Sequence, residues 1–301
     1  AASRTSPLEV AMGDRRSAQE ASEALEDEKY WIGLCPKLRI QESCERRLEC
    51  PLESKTIDSA RLRILNDGYT ELSTDHHGQL WKPDICRSLA EGIRALTENG
   101  WPASFIFMYD EAWQLANSIA EFMKAITGNE ISYDMLAWHI DPSKSQSGFS
   151  PHRDRQPDDA RPTFREDQMA MYTTCWVALT DATPDNGCLY VIPKHSDPGY
   201  MEGDDEVKDP LAVALPRKES FQLIRALPAK TGEALLFTHR IIHWGSSGRK
   251  GSKQPRVSLS IGFSDPKFEK PYLKDKPSAQ FWPSFNERVG LVSAQMISYY
   301  Q

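Results

Sequence analysis

The chain has 301 residues, of which 40% are hydrophobic and 26% charged, a composition typical of a folded globular protein with a sizeable core. Its 43 acidic and 36 basic side chains give a formal net charge of −7, which disfavours nucleic acid as a partner and favours a small-molecule substrate. The sequence contains no run of 18 apolar residues, so it predicts no membrane partner.

Six cysteines are spread along the chain without a CxxC pair, which indicates reduced thiols in an intracellular compartment. We expect the cytoplasm or an organelle, because a start at Ala1 is compatible with a removed transit peptide. Cys35, Cys44 and Cys50 lie close together, but their spacing matches no common zinc pattern, so we predict no zinc site there.

The domain organisation predicted from the sequence is an N-terminal extension, residues 1–54, followed by one main domain, residues 55–301. Within the extension, residues 17–29 are rich in Ala and Glu and favour a helix, although its apolar stripe is thin.

Two amphipathic helices with legible ends are predicted early in the main domain. The first has Asp84 as its N-cap and ends at Gly100, and the second is capped by Asp110 and ends at Gly128. Both apolar stripes are expected to pack against a sheet.

After the second helix, short strand-like runs alternate with turns, a pattern that predicts a mainly β (α+β) barrel or sandwich. Asp185-Asn186-Gly187 lies between two of these runs and indicates a hairpin. Two long polar stretches, 156–167 and 198–219, are either lids over a site or disordered excursions. The predicted strands are Tyr133 to Ile140, Ser150 to Arg155, Met169 to Leu179, Cys188 to Ile192, Ser220 to Leu227, Ala234 to Thr238 and Arg256 to Phe263.

The sequence His152-Arg153-Asp154 carries the first candidate metal ligands. In an extended strand alternate side chains share a face, so His152 and Asp154 can bind one metal ion together. Two histidines and one carboxylate, with open coordination positions, suit non-haem Fe(II) in oxygenases. His239 and His243 are both candidates for the third ligand, because residues four apart on a strand also share a face.

Taken in order along the chain, these and further motifs resemble the phytanoyl-CoA dioxygenase family of Fe(II)- and 2-oxoglutarate-dependent oxygenases. The resemblance covers about residues 60 to 265. Its motifs are Asp67-Gly68-Tyr69, Pro151-His152-Arg153-Asp154, Trp176 to Asp181, Asn186 to Ser196, Gly232 to Phe237, His243-Trp244-Gly245-Ser246 and Arg256.

The resemblance implies a double-stranded β-helix, a cupin-like jelly-roll barrel with flanking helices, that uses Fe(II), 2-oxoglutarate and O2. His152, Asp154 and a distal histidine would ligate the metal. In the family that histidine precedes a Gly/Ser-rich turn and an Arg about a dozen residues later, which favours His243 as the ligand and leaves His239 a supporting role.

Arg256 begins a strand that places Val257, Leu259, Ile261 and Phe263 on one face and Arg256, Ser258 and Ser260 on the other. An Arg that points into a barrel needs an anion, and its guanidinium can hold the distal carboxylate of 2-oxoglutarate in two parallel hydrogen bonds. Ser258 is expected to add a hydroxyl contact, and Trp176 matches an aromatic position that lines the cosubstrate pocket in relatives. The alternatives are an Arg facing solvent and a Trp in the core.

The activity implied by the resemblance is hydroxylation of a substrate C–H bond with release of succinate and CO2. The intact carboxylate Asp154 favours hydroxylation over chlorination, while desaturation, ring formation and epoxidation stay open. Arg153, His195 and Trp244 are candidate substrate contacts. Two alternatives belong to other classes: a metal-binding cupin-type barrel with non-oxidative chemistry, and a catalytically silent scaffold whose residues 1–54 mediate association.

Overall fold

The computed structural model describes residues 18–41, 52–73, 75, 80–81, 83–157, 161–204, 209–249, 251–270 and 282–300. Its α-helices are α1 (Ala18–Glu26), α2 (Glu28–Leu34), α3 (Ser54–Asp67), α4 (Pro83–Glu98), α5 (Asp110–Thr127), α6 (Gly199–Glu202), α7 (Pro210–Ala214) and α8 (Phe285–Tyr300). Its strands are β1 (Tyr69–Leu72), β2 (Glu130–Ile140), β3 (Tyr172–Ala178), β4 (Leu189–Ile192), β5 (Arg225–Leu227), β6 (Ala234–Thr238), β7 (Ile242–Gly245) and β8 (Arg256–Ser264).

The strands form two antiparallel sheets, one with the order β1-β6-β3-β8-β2 and a smaller one with the order β5-β4-β7. Isolated bridges, including one between His152 and His243, continue the smaller sheet beyond β7. Side chains from both sheets, including Trp176 and Phe237 of the larger and Val191 of the smaller, share one apolar cluster. The two sheets therefore face each other across a common interior.

The larger sheet separates this interior from a layer of helices. Along β8, the predicted alternation is confirmed: Val257, Leu259, Ile261 and Phe263 are fully buried in the core that the helices share. Alternate residues on this strand point to the other face. The face of β8 that lines the interior therefore carries polar side chains. Its apolar face packs against the helices.

For α5, the residue predicted to end the helix is correct, but the residue predicted as its N-cap is wrong. Gly128 ends α5 in the left-handed conformation, with a φ of 72° that favours glycine. Asp110 is the first helical residue of α5 and Tyr109 is the N-cap. The Asp110 carboxylate instead accepts from Gln41 N and pairs with Arg288, so it joins distant segments. Asp84 lies in the first turn of α4, after Pro83.

The predicted hairpin at Asp185-Asn186-Gly187 is wrong, because β3 and β4 belong to different sheets. The turn itself is present: Gly187 has a φ of 90°, and Asn186 Oδ1 accepts from Thr183 N at 2.7 Å. An Asn-Gly pair therefore turns the chain here from one sheet to the other.

Two predicted strands are also shorter than expected. Of residues 150–155, only His152 forms a bridge, and residues 218–223 form a 3₁₀ helix ahead of the three-residue strand β5. The long polar stretches hold two short helices, α6 and α7, while residues 158–160 and 205–208 within them lie outside the described residues.

The first described residues pack into the same core as the barrel helices. Trp31 of α2 is fully buried and stacks on Phe105 with ring centres 5.4 Å apart. Residues 17–29 were expected to form one helix, and α1 and α2 replace it with a break at Asp27, which caps α2. The domain boundary at residue 54 stays a prediction, and Cys44 and Cys50 lie outside the described residues. Across the described ranges, no helix is both long and apolar enough to cross a bilayer.

Candidate metal centre and cosubstrate site

The two candidate histidine ligands meet through backbone pairing. His152 N donates to His243 O at 3.1 Å and His243 N donates to His152 O at 3.0 Å, so each residue is paired with the other across the edge of the smaller sheet. This pairing brings their imidazole rings together, with ring centres 4.3 Å apart. Residues 91 positions apart in the chain, the difference of the two residue numbers, are thus held side by side.

Asp154 completes a cluster with the two imidazoles. Its Oδ1 lies 3.7 Å from His152 Nε2 and 3.5 Å from His243 Nε2. One ligand atom from each of the three residues lies within 4.8 Å of the others. Asp154 Oδ2 accepts a hydrogen bond of 2.7 Å from Thr174 Oγ1 on β3, which leaves Oδ1 for the imidazoles.

Backbone carbonyls set the orientation of both rings. His152 Nδ1 lies 2.7 Å from Ser150 O, and His243 Nδ1 lies 3.2 Å from Ile241 O. A proton on Nδ1 donates to the carbonyl and leaves the Nε2 lone pair free to coordinate a metal. Burial lowers the pKa of His243, which favours the neutral ring that a metal requires.

His239 does not belong to this cluster. Its side chain is fully buried, its Nδ1 lies 3.0 Å from Tyr172 O, and its ring contacts Phe164 and Phe268. Burial lowers the pKa of His239 to about 3, so the ring is neutral and Nδ1–H donates to the carbonyl. The sequence predicts that His239 and His243 share one face of a strand. They do not belong to the same strand, because β7 begins only at Ile242.

Arg256, at the start of β8, is a buried cation that lines the same cavity as the three cluster residues. It is 2% exposed, its Cζ lies 5.6 Å from the centre of the Trp176 ring, and burial lowers its pKa to about 10. No acceptor among the described residues reaches Arg256 Nε or Nη1. A buried guanidinium with unused donors is costly unless an anion binds it.

The neighbours of Arg256 differ in what they present to the cavity. Trp176 lines it. Ser258 is fully buried, and in the described part of the chain nothing hydrogen-bonds its Oγ. Ser260, which was not a predicted site residue, lines the cavity.

The three predicted substrate contacts have different environments. Trp244 lines the cavity and stacks on Tyr190, with ring centres 5.6 Å apart. Arg153 also lines it, but the guanidinium is taken up by Asp197 and Asp204. The structure does not bring His195 to the cavity: it lies on the surface, with Nδ1 3.6 Å from Asp67 Oδ1.

The cavity that joins these groups has a volume of about 430 Å³, within the range of small-molecule sites. Sequence reasoning missed several of its residues. Thr174 could have been found, because it precedes the predicted Trp176 by two residues on one strand and so shares its face. The C-terminal helix α8, which supplies Gln295 and Ser298, carries no such signal. The missed strand residues alternate along β2 and β3: Asp134, Leu136 and Trp138 on β2, and Tyr172 and Thr174 on β3.

The side chains present fit the metal and cosubstrate that the motif series implies. Two imidazoles and one carboxylate form the donor set that suits non-haem Fe(II), and one ligand atom of each lies within 4.8 Å of the others. The unpaired donors of buried Arg256 fit a carboxylate of 2-oxoglutarate.

The sequence profile of the phytanoyl-CoA dioxygenase (PhyH) family matches residues 109–258, which include all three cluster residues and Arg256. The chain belongs to this family of Fe(II)- and 2-oxoglutarate-dependent oxygenases, whose members use Fe(II), 2-oxoglutarate and O2. No curated protein sequence matches the chain.

Solved structures with the same fold share little sequence with the chain. The epimerase SnoN from nogalamycin biosynthesis, in complex with Fe3+, alpha-ketoglutarate and nogalamycin RO, is 18% identical with a TM-score of 0.53; the match covers 77% of this chain and 94% of SnoN. The carbocyclase SnoK from the same biosynthesis is 16% identical with a TM-score of 0.53, covering 78% and 97%. EctD from S. alaskensis, with 2-oxoglutarate and 5-hydroxyectoine, is 16% identical with a TM-score of 0.51, covering 82% and 90%. These likenesses show the fold, a jelly-roll barrel with helices outside it.

Proposed function

We propose that this chain is a dioxygenase that hydroxylates a C–H bond of a small molecule. The observation that carries the proposal is the presence, in one cavity, of the His152, Asp154 and His243 cluster and a buried Arg256 whose Nε and Nη1 have no acceptor among the described residues. A barrel with non-oxidative chemistry, or a silent scaffold, has no physical need for a buried guanidinium without a partner.

In this proposal each side chain has a defined task. His152, Asp154 and His243 hold the metal, Arg256 binds the distal carboxylate of 2-oxoglutarate, and Trp176 closes the cavity beside it. When bound, Fe(II) and 2-oxoglutarate supply with O2 an oxidative decarboxylation to succinate and CO2 that is coupled to oxidation of the substrate. Ser258 is proposed as a hydroxyl contact to the cosubstrate, and Trp244 as an apolar contact to the substrate.

The carbonyls of Ser150 and Ile241 and the hydroxyl of Thr174 support the proposed ligands. They hold the two rings and the carboxylate before any metal arrives, which is the preorganisation that metal sites require. Arg153 is proposed to hold the chain between the ligands His152 and Asp154 through its pairs with Asp197 and Asp204.

Binding is tested by anaerobic addition of Fe(II) and 2-oxoglutarate to the purified chain. We expect a weak visible charge-transfer band, its loss in Asp154→Ala, and its retention in Asp185→Ala, where the substituted carboxylate is 67% exposed. Absence of the band in the unsubstituted protein would overturn the proposal.

The type of oxidation is tested separately by turnover under oxygen-18 gas. Hydroxylation places one labelled oxygen atom in succinate and the other in the product. Desaturation or epimerisation leaves the product unlabelled. That result would contradict hydroxylation but would agree with an Fe(II)- and 2-oxoglutarate-dependent oxygenase.

A further inference from the structure

The C-terminal helix α8 forms part of the cavity wall through Gln295 and Ser298. Gln295 is only 9% exposed, although it lies on a helix at the surface of the barrel. Its amide orientation follows from one contact, because Gln295 Nε2 donates to Asp134 Oδ1 at 3.0 Å. Asp134 Oδ1 accepts this hydrogen bond, so Gln295 Nε2 faces Asp134 and Gln295 Oε1 points away from it.

Gln295 Oε1 is left without a hydrogen-bond donor within the described part of the chain. A buried acceptor without a partner is destabilising, because it has lost its hydrogen bond to water. Because Gln295 lines the cavity, a bound molecule that carries a hydroxyl, amine or amide N–H can remove this destabilisation.

Asp134 is held firmly enough to fix this geometry. Tyr172 Oη donates to Asp134 Oδ2 at 2.8 Å, and Arg155 Nη2 lies 3.4 Å from the same oxygen. A side chain on Gly262 would collide with the Tyr172 hydroxyl, since a Cβ built there lies 2.2 Å from it. The glycine thus makes room for the contact that orients Asp134.

The polar group formed by Gln295, Asp134 and Tyr172 lies close to the proposed metal centre. Tyr172 and Thr174 are alternate residues on one face of β3, about 7 Å apart along a strand. Thr174 holds Asp154 and Tyr172 holds Asp134. The contact that orients Asp134 and the contact that holds Asp154 therefore lie side by side on this face of β3.

The cationic side chains of the cavity are already engaged. Of the described residues that line it, Arg153, Arg155 and Arg256 are cationic. Arg153 is paired with two carboxylates, and Arg155 lies 3.1 Å from Glu269 as well as against Asp134. Arg256 is assigned to 2-oxoglutarate, so no described cation lining the cavity remains for a phosphate.

An aromatic pair supplies an apolar part of the same cavity wall. Trp138 and Phe149 line the cavity and meet edge to face with ring centres 4.7 Å apart, and Phe149 is 38% exposed. Such a wall favours a flat or alicyclic apolar body over a hydrated, charged one.

We propose that α8 determines the substrate class: Gln295 Oε1 accepts a hydrogen bond from an unphosphorylated small molecule whose apolar body packs on Trp138 and Phe149. This inference rests on the proposed function, and it excludes substrates that place a phosphate group inside this cavity.

The test uses two probe pairs that differ only in phosphate: naphthol with naphthyl phosphate, and octanol with octyl phosphate. Calorimetric titrations are made anaerobically on the full chain loaded with Fe(II) and 2-oxoglutarate. We expect the unphosphorylated member of each pair to bind at least about tenfold more tightly, equivalent to about 1.4 kcal/mol. Equal affinities, tighter binding of the phosphorylated member, or no binding by either would overturn the inference.

Variants of α8 separate this inference from the proposed function. Gln295→Met removes the acceptor at similar length and is expected to weaken naphthol binding about tenfold. Ser293→Ala, on the same helix and outside the cavity lining, is the matched control and should bind naphthol as the unsubstituted chain does. Unchanged naphthol binding in Gln295→Met would refute the role of α8. Absence of the charge-transfer band when Fe(II) and 2-oxoglutarate are added to the unsubstituted chain would instead refute the proposed function.

Discussion

Thr174 and Asp154 join the two sheets at the candidate metal centre, with Thr174 Oγ1 donating to Asp154 Oδ2 at 2.7 Å. Asp154 follows the segment that pairs with β7 of the smaller sheet, while Thr174 belongs to β3 of the larger one. The hydroxyl therefore sets which carboxylate oxygen faces the two imidazoles.

Removal of this hydroxyl is expected to weaken metal binding. In Thr174→Val the side chain keeps its shape but no longer holds Oδ2, so Asp154 gains rotational freedom and affinity for Fe(II) falls about 10–100-fold. Anaerobic titration of the band formed with 2-oxoglutarate measures the change. Thr174→Ser keeps the hydroxyl and serves as the control; a Thr174→Val variant with unchanged affinity would show that the hydrogen bond has no role.

Arg256→Met is expected to increase the stability of the metal-free protein and to weaken the binding of 2-oxoglutarate. The buried guanidinium has no described partner at Nε or Nη1, so its replacement should raise the unfolding free energy of the metal-free protein by about 1–3 kcal/mol. The same change removes the proposed carboxylate contact and should raise KM for 2-oxoglutarate at least about 100-fold, or about 2.7 kcal/mol. Urea denaturation and succinate release measure the two effects, and a destabilised variant would contradict the unpaired state of Arg256.

The pH dependence of stability is expected to carry a contribution from His239. Its pKa in the folded protein is about 3, below the value of about 6.5 expected for an unfolded chain, so the unfolded state binds more protons between these values. The stabilising contribution is complete above about pH 6.5 and is lost as pH falls, by about 2 kcal/mol at pH 5. Denaturation at pH 7 and pH 5 should therefore show a smaller difference for His239→Asn than for the unsubstituted chain. His195→Asn, at an exposed position, is the control and should leave the difference unchanged.

The ion pair between Arg288 and Asp110 is expected to anchor α8. The two groups lie 2.8 Å apart with side chains 0% and 1% exposed, and Arg288 also donates to Met108 O. Arg288→Ala leaves the Asp110 charge buried, so it should lower the unfolding free energy by about 3–5 kcal/mol.

An exposed pair provides the comparison for this loss. Arg87 and Asp84 lie 3.2 Å apart with side chains 67% and 86% exposed, so solvent screens their attraction. Arg87→Ala should change the unfolding free energy by less than about 0.5 kcal/mol. Thermal or urea denaturation measures both variants, and similar losses in the two would show that burial does not strengthen the Arg288 pair.

Periodicity and motif order in the sequence determined the strand faces and the candidate chemistry. The alternation on β8 follows from the geometry of any extended chain, as does the common face of His152 and Asp154, and neither needs knowledge of the partner strand. The same local reasoning placed the end of α5 at Gly128, because a positive φ favours glycine wherever it occurs.

Contacts between distant parts of the chain were decided only by the tertiary structure. An Asn-Gly pair predicts a turn but not which strands it joins, so residues 185–187 connect two sheets and close no hairpin. The position of Arg153 within the metal motif predicts a substrate contact, but Asp197 and Asp204, which are distant in sequence, bind its guanidinium. Gln295 meets Asp134 across 161 positions. Such pairings depend on the packing of whole elements, and hydrophobic periodicity, which records only which face is buried, cannot specify the partner.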